Sequence, residues 1–199
     1  MDVKFLAIPA LSYLLGSIPF SYLITRLKTG GDIRELGSGN VGATNVMRTS
    51  GKAAGMVALA LDVCKGAAAV ALARWWTGME LWGAVAGFSA AAGHSFPVLL
   101  GFRGGKSVAT GGGAFLVLSP LGILCSIGLF GFMLASFRIV SLASMIASAS
   151  FPLFAWIFGA GRGIILWGAA TALLILVRHH ANIKRLFQGT ERRMGQEKQ

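Results

Sequence analysis

The chain predicts an all-α, polytopic membrane protein with seven transmembrane helices, and three observations lead there. Of its 199 residues, 55% are hydrophobic and only 13% charged, more apolar length than a soluble domain of this size can bury. The apolar residues fall in runs close to the 20 or so needed to span a bilayer. The basic residues behind the net charge of +11 sit in short connections between these runs, a pattern of membrane topology rather than of a nucleic-acid-binding face.

The first run, Phe5 to Thr25, has no Ala-x-Ala-like cleavage site and is followed by Arg26 and Lys28, so it is expected to be retained as a helix, not removed as a signal peptide. Further runs cover Ala53 to Trp75, Leu81 to Leu100, Ile139 to Phe158 and Gly163 to Val177; the last is short unless it continues into Ile183. Ser107 to Phe137 is too long for one ordinary span and carries Ser119-Pro120 near its middle. Proline lacks an N–H and clashes with the preceding turn, so this stretch is split there into two helices.

Charge supports the split. With seven spans and the N-terminus outside, the inner side holds Arg26, Lys28, Arg34, Arg48, Lys52, Arg103, Lys106, Arg138 and the basic residues of the tail through Lys198, against Lys4, Arg74 and Arg162 outside. An unbroken helix over 107–137 would place the glycine loop and the tail on opposite faces. No fixed-period repeat or low-complexity linker appears, so residues 1–199 read as one membrane domain with a cytoplasmic C-terminus. Cys64 and Cys125 lie inside apolar runs without Cys or His partner spacing, and neither disulfide nor metal is implied.

Three polar segments share the inner face. In Gly37 to Arg48, glycines alternate with Ser38, Asn40, Thr44 and Asn45, which supply hydroxyl and amide groups, and Arg48 offers a planar fork suited to phosphate. The same composition also suits a turn-rich loop. The second segment, Gly101-Phe102-Arg103-Gly104-Gly105-Lys106-Ser107, precedes Gly111-Gly112-Gly113. Its glycine amides, the Lys106 charge and a helix starting at Ser107 would together make a phosphate cradle, although glycines also serve helix packing. It is not a nucleotide-hydrolysing P-loop, because that spacing needs glycine where Leu100 stands.

The third segment runs from Arg178 to Glu191. If the helix continues, Arg178, Asn182 and Arg185 share one face and His179 lies beside them; alternatively these cations only complement a helix C-terminus. Within the second span, Asp62 and Lys65 are three residues apart and can pair across a turn, supporting the site from behind. His94 precedes the glycine loop, and Ser141 stands at the inner end of the sixth span.

The runs SGNVGATNVMR, GHSFPVLLGFRGGKSVATGGG and HHANIKRLFQGTE, in this order among seven apolar spans, resemble those of the acyl-phosphate-dependent glycerol-3-phosphate acyltransferases of bacterial membranes, the PlsY family. The resemblance covers essentially the whole chain. It implies acyl transfer from fatty acyl phosphate to the 1-hydroxyl of glycerol 3-phosphate, giving lysophosphatidic acid at the cytoplasmic face of the inner membrane, without metal or coenzyme. The implied partners are the two substrates and membrane lipids, without nucleic acid, and hand-over from an acyl-phosphate-producing enzyme is an added expectation. Carried over by position, Ser38 and Arg48 match the first motif, Gly104, Gly105 and Lys106 the second, and His179, Asn182 and Glu191 the third.

Acyl phosphate is already an activated mixed anhydride, so charge stabilisation matters more than protonation of the leaving group, and the inventory is rich in cations and amides. In this reading Lys106, His179 and Asn182 are catalytic. Ser38, Asn40, Asn45, Arg48, Gly104, Gly105, Ser107, Ser141 and Arg185 bind substrate, while Asp62, Lys65, His94 and Glu191 support the site. Neither His94, His179 nor His180 is followed five residues later by Asp, so no His-x4-Asp dyad exists. His179 can act as base, or a substrate phosphate can take the proton; the absence of a carboxylate beside His179 favours the second route. Gly87, Ala90, Ala91 and Gly93 would leave a groove for the acyl chain.

A transporter for organic phosphates is the rival of a different class. Against it stand the gathering of all motifs on one face and the featureless outer connections. A CDP-alcohol phosphotransferase would require clustered acidic residues, and Asp62 alone is acidic within a span.

Overall fold

A computed structural model describes residues 3–195, and these form helices joined by short connections. In chain order they are α1 Val3–Gly16, α2 Phe20–Thr29, α3 Ala43–Ser50, α4 Lys52–Thr77, α5 Glu80–Ser95, α6 Val108–Leu118, α7 Pro120–Phe137, α8 Val140–Ile157, α9 Arg162–Arg178 and α10 His180–Phe187, with a 3-10 turn at Val98–Leu100. Lys198, counted with the inner charges, lies outside the described residues.

The expected break falls where proline dictates it. Ser119 lies between α6 and α7, and Pro120 occupies the first turn of α7, where its missing N–H is not needed. Proline acts a second time: the first run is divided at Pro19 into α1 and α2, although Phe5–Thr29 together remain long and apolar enough for one crossing.

Among the described residues, five stretches satisfy length and hydropathy for a crossing, and α9 with α10 makes a sixth, bent by 57°. The 11 residues of α6 rise only about 16 Å, roughly half the hydrocarbon core. Residues 98–107, expected in part as the end of one span and the start of the next, instead form the 3-10 turn and the glycine loop. The third segment also differs from a straight helix. The bend at His179 separates Arg178 from Asn182 and Arg185, so the three do not share one face.

Small residues bring the helices together. A Cβ on Gly66 would overlap the Thr110 carbonyl, and one on Gly113 the Val63 carbonyl, so α4 and α6 meet backbone to backbone. Gly93 packs equally closely on Tyr13 of α1, and Ala90 and Ala91 are fully buried. Gly87 faces Ala114 and Val70. These four residues, expected to leave room for an acyl chain, instead fill helix interfaces. Val70, Ala84, Phe115, Phe151 and Ile164 form the main core around α6.

The pair in α4 is present: Lys65 Nζ lies 2.8 Å from Asp62 Oδ1, and both side chains are buried. Lys65 also donates to the Ile18 carbonyl at 2.9 Å, and His94 Nδ1 lies 3.5 Å from Asp62 Oδ1. The charges thus bridge the α1–α2 break to the end of α5, and neither is left alone in an apolar medium.

Candidate active site

The glycine loop folds back on the end of α5. Gly104 N–H donates to the Ser95 carbonyl at 3.2 Å and Gly105 N–H to the His94 carbonyl at 3.1 Å. A Cβ on Gly104 would collide with the His94 carbonyl, and one on Gly105 with His94 Nε2 and the Val41 carbonyl. Glycine is required here for close approach, and the two amides expected to cradle phosphate are already paired.

Further backbone donors belong to the helix N-terminus that follows. Ser107 takes a left-handed φ of 61° and starts α6; the first bond within this helix is Gly111 N–H to the Ser107 carbonyl, at 2.7 Å. The amides of Val108, Ala109 and Thr110 precede it, so the positive end of α6 sits beside Lys106. The Ser107 hydroxyl is itself buried, 2.6 Å from Ser95 Oγ and 2.5 Å from the Ala91 carbonyl. It anchors the loop to α5 and is not directed at a ligand.

Lys106 and the third segment meet directly. Lys106 Nζ donates to Asn182 Oδ1 at 2.5 Å, Asn182 Nδ2 to Glu191 Oε1 at 2.6 Å, and Arg185 Nε to Glu191 Oε2 at 2.6 Å. Ser141 Oγ donates to Glu191 Oε1 at 2.7 Å, so Ser141, expected as a substrate ligand, spends its hydroxyl proton on Glu191 and joins the same network. Burial works to raise the Glu191 carboxyl, but hydrogen bonds from Ser141, Asn182 and Arg185 outweigh it and hold it below its ordinary value.

Burial pushes the Lys106 ammonium down to about 8, with Glu191 opposing the shift and Arg185, Arg48 and Arg178 adding to it. His179, in the bend that follows α9, is 2% exposed. Its Nδ1 lies 2.8 Å from the Ile175 carbonyl. A carbonyl only accepts, so Nδ1 carries the hydrogen and Nε2 keeps its lone pair. Burial, then the Lys106 charge, push the imidazole down to about 4; it is neutral at physiological pH.

In the first segment, Asn45 is 1% exposed and fully engaged. Its Oδ1 accepts from Ser38 N–H at 2.9 Å, and its Nδ2 donates to the carbonyls of Leu36 at 2.9 Å and Ile33 at 3.3 Å. Asn45 therefore shapes the loop and is not a free ligand. Ser38 is exposed and Asn40 partly so, while Arg48, exposed on α3, is near enough to Lys106 to depress its proton affinity.

Arg178 is the residue whose role the sequence misplaced. Instead of joining Asn182 and Arg185 on a helix face, it turns back to the glycine loop. Its Nη2 donates to the Gly104 carbonyl at 3.0 Å and its Nε to the Gly105 carbonyl at 3.2 Å. Behind the same loop sits His94, tied to Asp62 and Lys65.

Fold and site together define a helical integral membrane protein in which Arg48, Lys106, Arg178 and Arg185 gather near the N-terminus of α6. A family model described as "Glycerol-3-phosphate acyltransferase" matches residues 6–189, and the chain belongs to that family. It is 50% identical over 187 residues to the glycerol-3-phosphate acyltransferase of Paramagnetospirillum magneticum, covering 94% of this chain and 92% of that one. Over 189 residues it is 47% identical to that of Parasynechococcus marenigrum, with 94% and 88% covered.

Two crystal structures of PlsY (YgiH), an integral membrane glycerol 3-phosphate acyltransferase, share the fold. Its glycerol 3-phosphate form matches with a TM-score of 0.91 at 39% identity, covering 96% of each chain. Its lysophosphatidic acid form matches with a TM-score of 0.89 at 38% identity, covering 96% of this chain and 95% of that one.

Proposed function

We propose that this chain transfers a fatty acyl group from acyl phosphate to the 1-hydroxyl of sn-glycerol 3-phosphate, giving lysophosphatidic acid and phosphate in phospholipid biosynthesis. The observation that carries the reading is the charge balance around Lys106: Arg48, Arg178 and Arg185 act on it against the single carboxylate of Glu191. Such a site is short of negative charge, and both substrates bring it as phosphate.

Lys106 and the first-turn amides of α6 hold the acyl phosphate and stabilise the charge that grows on the leaving phosphate. Ser38, Arg48, His179 and Asn182 orient glycerol 3-phosphate, with Asn40 and Arg185 at the rim. The 1-hydroxyl oxygen attacks the acyl carbonyl carbon, the carbon–oxygen bond to phosphate breaks, and phosphate leaves. A substrate phosphate takes the hydroxyl proton, because His179 is too weak a base to hold one at neutral pH. No metal or coenzyme enters these steps.

The same reading gives seven crossings of the bacterial inner membrane, with α6 as the short one, the N-terminus outside and the C-terminus and site at the cytoplasmic face. The inner-side charge excess supports this orientation. Membrane lipids surround the chain, and a partner that makes acyl phosphate hands it over there.

Purified protein in lipid mesophase, given glycerol 3-phosphate and either palmitoyl phosphate or palmitoyl-CoA without added metal, tests the reading. Lysophosphatidic acid from acyl phosphate is expected. Product only from acyl-CoA would overturn the donor, and binding of glycerol 3-phosphate without product from either would turn the assignment to transport.

A further inference from the structure

The geometry points to Arg178 as a positioning residue for this reaction: its guanidinium clamps the glycine loop in the shape that carries Lys106 to Asn182. The inference rests on the proposed acyl transfer. Gly104 and Gly105 carry no side chain to hold them, so their position depends on their backbone groups. Their N–H groups go to the Ser95 and His94 carbonyls on α5. Their carbonyls go to the two arms of one Arg178 fork, at 3.0 and 3.2 Å. The loop is thereby fastened on both edges, and Lys106 is the next residue.

Arg178 suits this role through both its location and its shape. It is the last residue of α9, directly before the bend that presents His179 and Asn182, so one side chain ties the second motif to the third. A planar fork can serve two successive carbonyls at once, which the point charge of a lysine cannot do with the same geometry. The Phe96 ring, centred 5.0 Å from the Arg178 guanidinium carbon, supports the fork from the side. His94, with its ring against Gly105, closes the loop from behind.

The test compares wild type with Arg178→Ala and Arg178→Lys, each in lipid and checked for an unchanged elution volume. Wild-type turnover of glycerol 3-phosphate and palmitoyl phosphate decides the underlying reaction, and the variants then decide the clamp. Displacing Lys106 by an ångström lowers kcat about 10²-fold in both variants. Added methylguanidinium restores part of the Arg178→Ala rate and leaves Arg178→Lys unchanged. Independently of turnover, amide hydrogen exchange in peptides covering residues 101–107 becomes faster in both variants, while peptides from the middle of α4 keep wild-type rates. Wild-type kcat in Arg178→Lys would reduce the residue to a simple charge and overturn the clamp. So would exchange over 101–107 equal to that of wild type. Where Arg178→Ala does not fold, the kcat and exchange of Arg178→Lys decide the clamp by themselves.

Discussion

Lys106 Nζ and Asn182 Oδ1 lie 2.5 Å apart across 76 residues of chain. That bond joins a loop following α5 to a helix following α9, and through Asn182 it reaches Glu191 and Arg185. An ammonium that would otherwise swing on a four-carbon stem is aimed before any substrate arrives.

The pair should therefore act as a unit. Lys106→Ala and Asn182→Ala are each expected to lower kcat/KM about 10²- to 10³-fold. The double variant should lose less than the product of the two, with a coupling of about 0.5–3 kcal/mol in a double-mutant cycle. Strict additivity would show that the bond does nothing in turnover.

His179→Gln keeps a hydrogen-bonding group but cannot serve as a base. Most of the wild-type kcat should survive, since a phosphate of the substrates takes the proton. A loss of about 10²- to 10⁴-fold would instead assign general-base catalysis to His179.

The pH profile follows from Lys106. Burial brings its ammonium down to about 8, so in the free enzyme it is charged below that pH and neutral above it. Because the charged form binds phosphate, kcat/KM should fall as pH rises through about 8. In Lys106→Arg the guanidinium stays charged and this limb disappears from the profile. A wild-type profile flat through this range would remove Lys106 as the cationic ligand.

Glycines of the same region should respond in opposite ways. Gly105→Ala drives a methyl into His94 and the Val41 carbonyl, and both folding yield and turnover should drop. At Gly112, inside α6, an added Cβ meets nothing within 4 Å, so Gly112→Ala should fold and gain up to about 1 kcal/mol from better helix propensity. Thermal unfolding of the two variants in the same lipid reads the contrast.

Asn45→Asp separates a loop anchor from a ligand. It keeps the acceptor for Ser38 N–H but loses the donors to Ile33 and Leu36, leaving buried carbonyls unmatched at a cost of about 1–3 kcal/mol. The thermal midpoint should fall while the KM for glycerol 3-phosphate in the folded fraction stays near wild type. A raised KM with unchanged stability would restore Asn45 to the substrate.

Much of this molecule was legible without coordinates. The apolar runs, the helix break at Ser119-Pro120 and the gathering of three polar segments follow from local chemistry: transfer of apolar side chains, the missing N–H of proline and the distribution of charge. Proline by itself would not have singled out the α1–α2 break at Pro19, since Pro9 and Pro152 lie inside α1 and α8, and the continuous hydropathy of Phe5 to Thr25 concealed it. The family, too, was legible, since its three motifs are short and contiguous.

What only the tertiary structure decided is which polar groups remain free. Ser107, Ser141 and Asn45 carry suitable atoms, but the first is bound to Ser95 and Ala91, the second to Glu191 and the third to its own loop. The amides of Gly104 and Gly105 are likewise taken by α5, and Arg178 holds their carbonyls. A sequence specifies each donor and acceptor, whereas a buried group must pair with whatever neighbour folding brings within about 3 Å. Those neighbours come from distant segments, so composition and motifs determined the membrane fold and family of this protein, and packing alone decided which polar groups pair with one another inside it.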